Sequence, residues 1–264
     1  MAIKIAVANQ KGGVGKTTTT INLADALKHF GYKVLTIDLD PQCNTTATFG
    51  AVYEGENSIV DVLNSDCTTK EAIQHLALGD IIPGDKILSS ELDHFSAKMG
   101  REYLLKKKLK EIDTEYDFVV IDTPPTLGLY MINALTAADG CIIPLQAEAY
   151  SIDGLEELFN TIQQIRENEL NSDLEVYGTL ITKFDSRNGL DNDLKDGLPV
   201  IANQYGFKTF DSLIRISQEI KKAQNIKFAE NETVNRSLFD NFKKSNGAAD
   251  YVDFTKELLE VING

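Results

Sequence analysis

The chain has 264 residues, a formal net charge of −14, 42% hydrophobic residues and 25% charged ones, which is enough chain for a substantial core and excludes bulk disorder. No apolar run reaches the ~18–20 residues needed to span a bilayer, and the three cysteines, Cys43, Cys67 and Cys141, form no CxxC pair, so no transmembrane helix, disulfide framework or zinc site is expected. The acidic balance opposes generic nucleic-acid binding, yet the window 208–244 carries a local charge of +3 and leaves −17 elsewhere, so one basic face remains possible.

In chain order, residues 3–8 form the first apolar, β-branched run, the pattern of a parallel strand buried on both faces. The run follows the N-terminus directly, so no signal peptide is expected and the thiols are expected to be reduced in the cytoplasm. Next comes Lys11-Gly12-Gly13-Val14-Gly15-Lys16-Thr17-Thr18, opening a helix predicted over 17–30 with Ile21, Ala24, Leu27 and Phe30 at three-residue steps and Gly31 as its stop. A glycine-rich loop between a strand and a helix is the context of a phosphate loop. Its glycines let successive backbone N–H groups point into one concavity, and the helix N-terminus adds positive potential. Gly12, Gly13, Val14 and Gly15 would form the cradle. Lys16 would neutralise β- and γ-phosphate oxygens, Thr17 would ligate Mg2+, and Thr18 would bond a phosphate nearer the ribose. The usual spacing places glycine where Gln10 stands, and here a lysine follows at Lys11.

The strand predicted over 33–37 leads into Asp38-Leu39-Asp40-Pro41, two carboxylates leaving a buried strand on the edge that faces the γ-phosphate in such folds. Asp38 could hold Mg2+ through water, and Asp40 could orient the attacking water. Residues 51–100 are weakly patterned, with short helices and an extra strand expected near 79–82. A helix over 101–112 precedes the strand 117–121, which ends in Asp122, a carboxylate placed to reach Mg2+ directly or through its water shell. Then follow a helix over 127–138, a strand over 140–144, a helix over 152–168, a strand over 175–181 and helices over 192–205 and 248–262. The last carries Tyr251, Phe254, Leu258 and Val261 on one face. Alternating βαβ units without a linker imply a single α/β domain over 1–264, a P-loop NTPase domain with a mostly parallel twisted sheet and helices on both faces.

The run from Asn9 to Thr18, then Ile37-Asp38-Leu39-Asp40-Pro41-Gln42, then Ile121-Asp122-Thr123-Pro124-Pro125, resembles the ParA/Soj family of deviant Walker A partition ATPases. Pro144-Leu145-Gln146-Ala147-Glu148-Ala149-Tyr150-Ser151 and Leu180-Ile181-Thr182-Lys183-Phe184-Asp185 are similar to further landmarks of that family. The Arg-x-Ser of Arg215-Ile216-Ser217 is kept, without the proline that commonly precedes it. The resemblance implies slow, partner-stimulated ATP hydrolysis with Mg2+ and a nucleotide-sandwich homodimer. Lys11 would be the signature lysine reaching the partner's phosphates, with the logic of an arginine finger. It implies sequence-independent DNA binding through Arg215, Lys221, Lys222, Lys243 and Lys244, with Ile216, Ile220 and Ala223 turned inward; the same lysines also suit a solvated helix face. A ParB-type centromere-binding partner, plasmid or chromosome partition and association with the nucleoid complete what the family implies, with no separate N-terminal DNA-binding domain expected. ATP is favoured over GTP by the resemblance, since Thr182-Lys183-Phe184-Asp185 lacks the asparagine of an Asn-Lys-x-Asp base-reading motif. The alternative is a MinD-like membrane or protein-positioning switch. It would end in a basic amphipathic helix, whereas Asp250, Asp253, Glu257 and Glu260 sit in this C-terminal segment and would be repelled by anionic lipid. A redox ATPase would need a second suitably placed cysteine, and a metabolic ligase a substrate pocket that the sequence does not identify.

Overall fold

Apolar strands with no polar face need cover on both sides, and the helices supply it. The computed structural model describes residues 1–147, 151–224 and 235–264. Among them the strands are β1 (Ile3–Val7), β2 (Val34–Asp38), β3 (Gln74–His75), β4 (Asp80–Ile82), β5 (Phe118–Asp122), β6 (Gly140–Leu145), β7 (Glu175–Phe184) and β8 (Thr209–Arg215). They form one sheet in the order β3-β4-β2-β5-β1-β6-β7-β8, parallel throughout except for the β3–β4 pair. The helices are α1 (Lys16–His29), α2 (Asn44–Phe49), α3 (Ile59–Asn64), α4 (Leu88–Ser96), α5 (Leu104–Leu109), α6 (Leu129–Ala137), α7 (Ser151–Glu167), α8 (Gly189–Gln204), α9 (Gln218–Gln224), α10 (Leu238–Asn241) and α11 (Asn246–Asn263).

Because successive side chains of a strand point to opposite faces, each central strand feeds two cores. Ala6, Leu35, Ile37, Val119, Ile121 and Ile143 pack with α3 to α8 on one side. Ile5, Val7, Val120 and Ile142 pack with α1, α9, α10 and α11 on the other. The register is what places the site. Val7 pairs with Asp122, and Asp38 also pairs with Asp122, so β1, β2 and β5 end level at the C-terminal edge of the sheet. The loops that follow all emerge together, at the position where open α/β sheets bind ligands.

The five long predicted strands are present within a few residues, and β7 runs on to Phe184. The helix expected over 101–112 is instead a 3-10 turn at Arg101–Tyr103 followed by α5, which ends at Leu109. Ile216, expected to turn inward, is 52% exposed, because it follows the end of β8 and precedes α9; Ile220 and Ala223 are buried as expected. On α11 the residues Tyr251, Phe254 and Leu258 are fully buried, so its apolar face belongs to the core. No helix among the described residues is long and apolar enough to cross a membrane.

Asp25 of α1 is a buried acid that ties α10 to α1, accepting from Ser237 Oγ at 3.0 Å and from the Leu238 amide at 3.0 Å. Burial raises its pKa to about 6, against those hydrogen bonds, which lower it. A raised folded-state pKa means that the group favours folding below about pH 4 and that this contribution is lost as pH rises through about 6. Asp25→Asn should therefore gain on the wild type by about 2 kcal/mol between about pH 4 and pH 8. Urea midpoints at the two pH values read the difference, and an equal offset at both would contradict it.

Candidate functional site

The phosphate loop is built from its backbone outward. Gly13 (φ 78°) and Gly15 (φ 95°) adopt left-handed conformations that let the loop curl before α1. Its carbonyls are tied down from behind. Gln146 Nε2, past the end of β6, donates to Gly13 O at 2.7 Å, and Lys183 Nζ, on β7, donates to the same oxygen at 2.9 Å. Thr182 Oγ1 donates to Val14 O at 2.7 Å. The Lys16 ammonium donates to Lys11 O at 2.9 Å, and the Lys11 amide donates to Asn9 Oδ1 at 2.9 Å. Asn9 is in turn fixed by donating to Pro144 O at 2.7 Å. With its carbonyls anchored outward, such a loop offers its N–H groups and the α1 N-terminus to an anion.

Facing the loop is a buried acid cluster. Asp122 Oδ2 accepts from Thr17 Oγ1 at 2.8 Å and from Thr45 Oγ1 of α2 at 2.7 Å. Asp38 Oδ2 accepts from the Thr46 amide at 2.9 Å and Thr46 Oγ1 at 2.7 Å, while Asp38 Oδ1 accepts from the Asp40 amide at 3.0 Å. Asp40 Oδ1 accepts from the Gln42 amide at 2.9 Å. Burial pushes the pKa of both Asp38 and Asp122 up, and for Asp38 the neighbouring charge of Asp122 adds to the rise. Desolvation also raises Asp40. Lys16 moves down by burial, against the attraction of Asp122 and Asp40. Asp40 and Asp122 thus act on one ammonium, with Asp38 beside Asp122, an excess of negative charge that a hard cation would relieve.

The donors fit magnesium. They are all oxygen, a hydroxyl and carboxylates, and Mg2+ takes one or two protein ligands and fills its shell with water and phosphate oxygens. Among the described residues no group of three or more His, Cys, Asp or Glu forms an all-protein cage. Thr17 and Asp122 are brought together, whereas Asp38 touches Thr46, not Thr17, and lies one strand away.

Loop, cluster and flanking segments enclose a cleft of about 630 Å3, lined among others by Gly12, Lys16, Thr17, Thr18, Asp40, Asn44, Pro125, Lys183 and Arg236. Sequence patterns assign no separate role to Gln146, Lys183, Thr45, Thr46 or Arg236; Thr182, Lys183 and Gln146 stand inside motifs, and nothing local marks the others. Of the basic residues, Arg215 is engaged by Asp250, with Nη2–Oδ1 at 2.5 Å and Nε–Oδ1 at 3.0 Å. Lys221 and Lys222 are exposed on α9, and Lys243 and Lys244 are exposed in the turn between α10 and α11. A shallow depression joins Glu219 of α9 to Asp240, Lys243 and Lys244. Lys227, a basic residue of the 208–244 window, and residues 148–150 of the Pro144–Ser151 segment lie outside the described residues.

A family of AAA domains matches residues 2–176. The sporulation initiation inhibitor protein Soj of Bacillus subtilis is 35% identical over 260 residues, covering 96% of this chain and 97% of its own. The chromosome partitioning protein ParA of Caulobacter vibrioides is 34% identical over 261 residues, covering 97% of this chain and 93% of its own. Among solved structures, cobyrinic acid a,c-diamide synthase of Mycobacterium smegmatis with bound ADP and magnesium superposes with a TM-score of 0.84 at 32% identity, covering 100% of this chain and 96% of that one.

The geometry of the loop makes a direct prediction. A Cβ on Gly15 would strain a φ of 95° and approach Thr182 Oγ1 to 3.2 Å, whereas on Gly12 it would meet only Pro125 Cβ at 4.0 Å. Gly15→Ala should lower stability by about 1–2 kcal/mol and Gly12→Ala by less. Thermal melts of the two variants without nucleotide test the order.

Proposed function

The chain belongs to the ParA/Soj family of partition ATPases, and from that premise we propose that ATP hydrolysis switches it between a DNA-bound homodimer and a free form. The site takes ATP and Mg2+. What supports the reading is the level ending of β1, β2 and β5, beside which Lys16, Thr17 and Asp40 line one cleft while buried Asp122 bonds Thr17.

The chemistry then divides among this chain's own groups. The backbone of 12–18 cradles the phosphates, and the Lys16 ammonium leaves the Lys11 carbonyl for β- and γ-phosphate oxygens. Thr17 and Asp122, with Asp38 behind them, would hold Mg2+, which would supply positive charge to the phosphates. Asp40 accepts a hydrogen bond from the attacking water and orients it toward the γ-phosphorus. Water oxygen bonds to phosphorus as the bond to the β–γ bridging oxygen breaks, giving ADP and phosphate. Lys11 of each protomer reaches the partner's phosphates and places positive charge where negative charge develops. Slow turnover suits a switch that persists until a ParB-type protein stimulates it.

For DNA, Lys221, Lys222, Lys243 and Lys244 are the contacts favoured by their exposure, and Arg215 contributes only by leaving Asp250. Phosphate contact by these groups gives no sequence preference. Such a dimer would be nucleoid-associated in the cytoplasm and would move plasmid or chromosomal cargo. A membrane-cycling role is disfavoured by α11, whose apolar face is already spent in the core.

The deciding experiment is binding to a random-sequence duplex with ATP, ADP or no nucleotide. Binding is expected with ATP alone, and four phosphate contacts per protomer, eight per dimer, would weaken it about ten-thousandfold between ~50 and ~200 mM salt. No binding under any nucleotide would overturn the partition reading and leave the ATPase. In the same preparation Asp40→Ala should keep ATP binding and dimerisation but slow hydrolysis by about a hundredfold or more, while Lys11→Ala should bind ATP and remain monomeric. Normal turnover by either variant removes its assigned role.

A further inference from the structure

Arg236 stands apart from the motifs, on the segment that leads into α10, yet it reaches the nucleotide cleft. It is only 7% exposed, unusual for an arginine. Its Nη1 donates to the carbonyls of Ala47 and Thr48, the latter at 2.8 Å. Both carbonyls belong to the last turn of α2, where a cation complements the negative end of the helix.

The helix it holds is one that cannot hold itself. α2 has six residues, its N-cap Cys43 gives no side-chain cap, and Cys43 has a φ of 53°. So short a helix is marginal in isolation, and its pose comes from tertiary contacts. At its front, Thr45 bonds Asp122 and Thr46 bonds Asp38. At its rear is Arg236. The arginine is itself anchored, because the next two residues, Ser237 and Leu238, bond Asp25 of α1, the helix that begins at the phosphate loop. Asp40 precedes α2 by only Pro41, Gln42 and Cys43, and both Asp40 and Asn44 line the cleft.

We infer that Arg236 is a positioning residue: by fixing the rear of α2 it holds the segment from Asp40 to Thr46 in the arrangement that hydrolysis requires, while nucleotide binding does not depend on it. The inference rests on the ATPase reading above. The division follows from who anchors what. The phosphate loop is secured by Gln146, Thr182, Lys183 and Lys16, none of which belongs to α2. The Asp40–Thr46 segment has Arg236 at its far end.

The test uses the full chain with Arg236→Ala and Arg236→Lys. In R236A without nucleotide, amides of residues 44–51 should exchange hydrogen about tenfold faster or more than in the wild type. Affinity for a non-hydrolysable ATP analogue should stay within about threefold, while kcat falls about tenfold or more. R236K, with a point charge in place of a planar fork, should lie between the two on exchange and on kcat, and it carries the comparison if R236A does not fold. Unchanged exchange and kcat in R236A would overturn the inference. So would a loss of analogue affinity that accounts for the whole loss of kcat/KM, since Arg236 would then touch the nucleotide itself. Absence of turnover in the wild type, alone or with candidate stimulating partners, would instead overturn the ATPase reading, and the exchange rates would still decide whether Arg236 holds α2.

Discussion

The site depends on one carboxylate. Asp122 ends β5 flush with β1 and β2, and its Oδ2 accepts from Thr17 on α1 and Thr45 on α2. One buried oxygen thereby joins the phosphate-loop helix to the segment that follows Asp40. Its burial is made tolerable by those two hydroxyls, and the charge it keeps is what a magnesium ion would meet. Were β5 one residue out of register, the acid would point into an apolar core and both threonines would lose their partner.

The electrostatics of the cleft describe a site organised ahead of its ligand. Asp40 and Asp122 attract Lys16, whose ammonium is parked on a carbonyl of its own loop. Neither an anion nor a cation alone suits such a place. A phosphate chain carrying a divalent cation brings both signs at once, the negative charge to the loop and the positive charge to the acids. Burial amplifies both attractions, because few water dipoles compete with them.

Much of this was legible in the sequence, and the parts that were not share a physical cause. β1, β2, β5, β6 and β7 are buried on both faces, so their apolar, β-branched runs announce them. β8 is an edge strand with mixed exposure along Thr209–Arg215, and β3 is a two-residue pairing; neither leaves a periodic trace. The short helices α2, α3 and α10 exist because of what they touch and not because of intrinsic propensity. Gly12 to Thr18, Asp38, Asp40 and Asp122 could be read because local chemistry marks them. Gln146 and Lys183 could be seen only as parts of a motif, since their bonds to Gly13 O cross 133 and 170 residues. Arg236 is the extreme case, a lone arginine whose partners lie 188 and 189 positions away. The pairing of Arg215 with Asp250 was equally hidden, although each residue had been noticed separately.

The doubly bonded Gly13 carbonyl has a mechanical meaning. Its two donors come from β6 and β7, on one side of β1, while the threonines of Asp122 tie the opposite side, β2 and β5, to the same loop and helix. The phosphate loop therefore works like the keystone of an arch whose two flanks are the halves of the sheet. A nucleotide seated there would meet a loop fastened to both flanks at once, so neither half of the sheet holds the site alone.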